Sequence, residues 1–156
     1  MRQSAAGTAV DFIEQTYFHI ELYADGLIWL RRTPEPYATL NEVRRGYYEF
    51  FEVADEFRAK RTPAGALPAP LGFLYDVRKS PPPRSDPEFE QVHEDFRPRI
   101  FHRTSALVVL VKTSAGQMQM TRMGRKDGSR FATTQSETDA VAWVREMMAE
   151  TSPLGE

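Results

Sequence analysis

The chain has 156 residues, 41% hydrophobic and 27% charged, the balance of a folding domain rather than a disordered segment. Twenty basic against twenty-two acidic side chains leave a net charge of -2, which argues against nucleic acid as a partner. With no cysteine, a disulfide framework, a thiolate nucleophile and a Cys-ligated zinc are all excluded. The opening MRQSAAGTAV lacks the apolar centre of a signal peptide, and the longest apolar run, ALVVLV at 106–111, is far too short to cross a bilayer. A cytoplasmic protein without integral membrane association is therefore expected. A single domain over residues 12–150 is expected between flexible tails at 1–11 and 151–156.

In chain order, YFHIELYADGLIWLRRT at 17–33 alternates apolar and polar residues around Asp25-Gly26, the signature of a β-hairpin with a two-residue turn. Phe18, Ile20 and Leu22 share one face of the first arm. On the second arm Ile28 and Leu30 oppose Trp29 and Arg31. After TPEPY, Thr39 and Glu42 stand at capping-box spacing. Val43, Tyr47, Phe50, Phe51, Ala54 and Phe57 then recur at helical period, predicting a long core-facing helix to about Lys60. LGFLYDV at 71–77 reads as a buried strand.

Three prolines follow, and Asp86 with Pro87 supplies an N-cap and first-turn proline for a second helix. Pro98 is expected to kink or end that helix near Arg97, with a short second piece over RIFHR. ALVVLV, apolar on both faces, predicts a central strand covered by helices on both sides and paired in parallel with LGFLYDV. The segment at 113–128 alternates like a strand over Gln-Met-Gln-Met but is rich in helix formers with Ser114 as a cap, so it stays open between the two with helix favoured. SRFATT reads as a short strand, and SETDAVAWVREMMAE as a final helix opened by Ser136 and Asp139. This order predicts an α/β class: a mostly parallel sheet of four to five strands, an N-terminal β-hairpin, and helices on the faces.

The hairpin ADGLIWLRR, the strands GFLYDVR and ALVVLV, and the closing RFATTQSETDAVAWV resemble the SpoIIAA-like branch of the STAS/SEC14-like domains. The resemblance implies a compact regulatory or binding fold, and most such bacterial proteins have no established catalytic activity. In the anti-sigma-factor antagonists of that group, the loop after the third strand and the next helix N-terminus carry a phosphorylatable serine and the partner surface. By place along the chain, RKSPPPRSDPEFE corresponds. Arg78, Lys79, Arg84, Ser85, Asp86 and Glu88 are then candidates for contacting a protein partner, with Ser85 and Ser80 as candidates for phosphorylation.

The residues themselves supply little chemistry. His19, His93 and His102 have no partner motif, and Glu90 with His93 reads as an exposed pair on an acidic helix. Nucleophile-elbow, zincin, dinucleotide and P-loop patterns are missing, so no catalytic residue, metal or cofactor is expected. Arg31-Arg32 and Arg44-Arg45 read as solvated charge. The proline triplet stiffens a loop at the carboxyl end of a central strand, where ligands of open α/β sheets bind. Two functions are expected from this. The first is a non-enzymatic regulatory or adaptor module that docks a protein through that ridge. The alternative is a binder of a small apolar or amphipathic ligand, suggested by SEC14-like kinship and the many Phe, Tyr and Met residues. A void-free core points to the first, and a lined cavity of several hundred cubic ångströms points to the second.

Overall fold

The computed structural model describes residues 3–82, 86–127 and 131–151. Its elements are β1 (Gln3–Ser4), β2 (Gly7–Thr8), β3 (Asp11–Glu14), β4 (Phe18–Leu22), β5 (Leu27–Arg32), α1 (Leu40–Arg61), β6 (Gly72–Asp76), α2 (Pro87–Phe101), β7 (Ala106–Leu110), α3 (Ser114–Asp127), β8 (Ala132–Thr134) and α4 (Glu137–Thr151). The class is α/β, but the sheet is a mixed one of six strands in the order β3-β4-β5-β6-β7-β8. β3, β4 and β5 pair antiparallel, whereas β5 through β8 pair in parallel. The four to five mostly parallel strands expected from the sequence are thus corrected. The difference lies at the N-terminus, where residues 3–8 form the β1-β2 hairpin and Asp11–Glu14, unread as a strand in the sequence, forms the edge strand β3.

Because the strands from β5 onward are added in one direction, crossovers of one hand lay α1, α2 and α3 on the same face. Packing agrees. On that face Phe18, Ile20, Ile28, Leu30, Phe73, Leu107 and Val109 meet Val43, Phe50 and Phe51 of α1 and Phe89, Val92 and Phe96 of α2. On the opposite face Trp29, Leu74, Val108 and Leu110 meet Ala140, Val141, Val144 and Met148 of α4. β7 is internal, buried along its whole length and parallel to β6, as its doubly apolar sequence predicts.

Local chemistry explains the element ends. Thr39 Oγ1 accepts the Glu42 N–H at 3.2 Å and Glu42 Oε2 accepts the Ala38 N–H at 2.7 Å, so the capping box closes one residue further out than the usual form. The Ala38 N–H first, and then a hydrogen bond from the Tyr17 side chain, hold the Glu42 carboxyl below the usual carboxylate range. The β4-β5 turn differs from the expected two-residue type. The Gly26 N–H donates to the Tyr23 carbonyl at 3.0 Å and only Gly26 has positive φ (100°). This is the three-residue loop that ends in a left-handed glycine. A side chain at Gly26 would also meet the Pro70 carbonyl. α2 runs unbroken through Pro98 to Phe101, because Phe96, Ile100 and Phe101 on either side of it all pack on the core. The cap of α3 is Thr113, whose Oγ1 accepts the Gly116 N–H at 3.0 Å, not Ser114. Ser136 caps α4 as expected, accepting the Asp139 N–H at 3.2 Å.

Candidate functional site

The two faces end differently at the carboxyl edge of the parallel strands. On the α4 face the edge is closed by charge. Asp76, at the end of β6, accepts from Trp29 Nε1 at 3.3 Å and holds Arg78 bidentately, with Nε to Oδ1 at 2.9 Å and Nη2 to Oδ2 at 2.7 Å. Arg78 also reaches Glu137 at 2.9 Å, and Arg31 bridges Glu21 and Asp76. Glu21 and Asp76 are only 1% and 4% exposed, so these pairings satisfy charges that would be costly unpaired.

On the helix face the same edge is open. A cavity of about 610 Å³ lies between the sheet, α1, α2 and α3, within the roughly 300–1,000 Å³ typical of small-molecule sites. Leu30, Phe50, Phe73, Leu107, Val109 and Val111 form its buried floor and walls. Pro36, Ser80, Pro82, Glu90 and Lys112 form an exposed rim. Pro81 and Pro82 therefore stand at one lip of the cavity.

Polar groups converge at one end. Tyr47, stacked flat on Phe96 with centroids 4.7 Å apart, places its hydroxyl 2.6 Å from His93 Nδ1. Burial first, then the Arg97 and Arg32 cations, pushes the His93 imidazole down to about 4. It is therefore neutral at pH 7. Burial likewise raises the phenols of Tyr37, Tyr47 and Tyr75, so each keeps its proton as a donor. Arg32, 4% exposed, lies over the Tyr37 ring at 4.3 Å and donates to the Thr33 carbonyl at 2.7 Å.

Several sequence readings are corrected here. His93 with Glu90 is not a surface pair: both line the cavity, and His93 is half-buried. Arg31 and Arg32 are not solvated charge: one is ion-paired and the other buried. Of the expected partner-contact residues, Arg78 is held by Asp76 and Glu137. Lys79, Asp86 and Glu88 are exposed. Ser80 is exposed at the rim, while Arg84 and Ser85 lie outside the described residues. Asp86 does take the N-cap position, its carbonyl accepting from Phe89 at 3.1 Å and Glu90 at 3.2 Å. The aromatic and basic groups around the cavity were missed as a site, although strand alternation already places Arg32 on the face of Ile28 and Leu30.

Among the described residues no cluster of three metal-ligating side chains occurs, and no helix is long and apolar enough to cross a membrane. No family model, no curated protein and no solved structure matches the chain.

Proposed function

We propose that the protein binds a small amphipathic molecule in the cavity on its helix face. The observation that carries this reading is the cavity itself: about 610 Å³ of apolar-lined space, at the edge where open α/β sheets take ligands. Cores normally pack to crystal-like density, so an open volume of this size against the core calls for an occupant. The SEC14-like kinship suggested by the sequence points the same way. A neutral fluorescent amphiphile, N-phenyl-1-naphthylamine, tests it. Saturable one-to-one binding is expected, lost in a folded Met120→Trp variant that fills the cavity from α3. Absence of saturable binding to the folded wild type refutes the reading.

One observation favours a second reading, a protein-docking module of regulatory type: Lys79, Ser80, Asp86 and Glu88, on either side of the strand-to-helix junction, all present exposed side chains. Under that reading alanine at Lys79 and Glu88 weakens partner capture while dye binding stays unchanged.

A further inference from the structure

The arginines of this protein are not treated alike. Arg31 pairs with Glu21 and Asp76, Arg78 with Asp76 and Glu137, Arg103 with Asp55, and Arg145 with Asp25. Arg32 is more buried than any of these, yet among the described residues no carboxylate pairs with it. Its Nη1 donates to the carbonyls of Thr33 at 2.7 Å and Tyr17 at 3.5 Å. Its guanidinium carbon lies 4.3, 5.5 and 5.9 Å from the Tyr37, Tyr17 and Phe18 rings. Ring faces and carbonyls soften the charge but do not neutralise it. A guanidinium, unlike a buried lysine or carboxyl, does not shed its charge on burial.

The surroundings are arranged for an anion. The two buried carboxylates, Glu21 and Asp76, lie on the opposite face of the sheet and serve Arg31 and Arg78. Among the described residues Glu90 is the one carboxylate that lines the cavity, and it is at the exposed rim, whereas Arg32 is buried. One imidazole, His93, and three phenols, Tyr37, Tyr47 and Tyr75, line the same cavity as Arg32, with Tyr37 directly beneath its guanidinium. Protonated phenols donate hydrogen bonds and bring no competing negative charge.

Resting on the ligand-binding reading above, we infer that the ligand is a carboxylate-bearing amphiphile. Its head seats on the planar fork of Arg32, and its apolar body lies along Leu30, Phe73, Leu107 and Val109. A carboxylate matches the fork geometry of guanidinium and supplies the missing counter-charge.

The test compares decanoate with 1-decanol, equal in chain length and different in head, by displacement of N-phenyl-1-naphthylamine at pH 7.5. The wild type should bind decanoate about 10- to 100-fold more tightly, the range of a hydrogen bond to a charged group. Arg32→Met should remove that preference while 1-decanol binding changes little, and Arg32→Lys should restore only part of it. If the wild type binds 1-decanol as tightly as decanoate, the carboxylate inference is overturned while the cavity reading stands. If neither these ligands nor the dye bind saturably, the ligand-binding reading fails and takes the inference with it. The wild-type comparison alone decides the matter should the Arg32 variants not fold.

Discussion

The two faces of this sheet are built from alternate residues of the same strands, yet they do different work. The α4 face is tightly closed. A Cβ added at Gly72 would lie 2.5 Å from Val144 Cγ1 and 2.8 Å from Met148 Cγ, so the absence of a side chain there lets the helix sit directly on the strand. Trp29 is 0% exposed and its indole N–H is bonded to Asp76. The α1–α3 face is as apolar but not filled, and its polar groups point into the space left over. One face is packed closed, and the other keeps an open volume at the expense of packing.

Substitutions should separate the two faces. Trp29→Ala on the closed face is expected to destabilise by about 3–5 kcal/mol, because it opens a large void and leaves Asp76 short of a donor. Chemical denaturation midpoints would show this. A loss under about 1 kcal/mol would mean that the α4 face relaxes far more easily than its packing implies.

The next effect is pH dependence on the open face. His93 is lowered from 6.5 to about 4 in the folded chain, so the unfolded chain binds its proton first as pH falls. Stability should be constant from this source above pH 6.5 and decline between 6.5 and about 4. The upper limit is about 3 kcal/mol for a shift of that size. A His93→Gln variant should show a shallower decline over that window, and parallel wild-type and variant curves would contradict the burial of this imidazole.

Gly72→Ala comes third, at about 1–3 kcal/mol, since Val144 is β-branched and cannot swing aside as Met148 can. Differential scanning calorimetry on a folded variant measures it, and an unchanged Tm would show that α4 shifts freely. The smallest effect should come from Met120→Ala, under about 1 kcal/mol. Its side chain borders the cavity and is only partly buried, so it has fewer partner atoms to lose than a core residue. A cost near the 2–5 kcal/mol of ordinary core truncations would mean that the open face is not open at Met120.

What could be read from the sequence follows the same division. Caps located the starts of α1, α2 and α4, through Thr39 with Glu42, Pro87 after Asp86, and Ser136 with Asp139, and apolar runs located β6 and β7, since each is set by local chemistry. DFIE at 11–14 escaped notice because a four-residue edge strand carries little periodicity and gains its structure from pairing with β4. Pro98 misled for a similar reason, as core contacts of Phe96, Ile100 and Phe101 hold α2 through a residue that would end an isolated helix. The parity of LIWLRR pointed Arg32 inward, but its lack of a carboxylate depends on where Glu21 and Asp76 sit across the sheet. The cavity was not legible at all. Its volume is the difference between how far three helices stand off a sheet and how far their side chains reach.

Strand β7 and the residue after it offer the most direct test, because Leu107, Val109 and Val111 face the cavity while Val108 and Leu110 face α4. Methyl NMR of the folded protein titrated with 1-decanol should show saturable shifts at 107, 109 and 111 and almost none at 108 and 110. Shifts spread evenly over all five, or absent from all, would contradict a ligand cavity confined to the helix face.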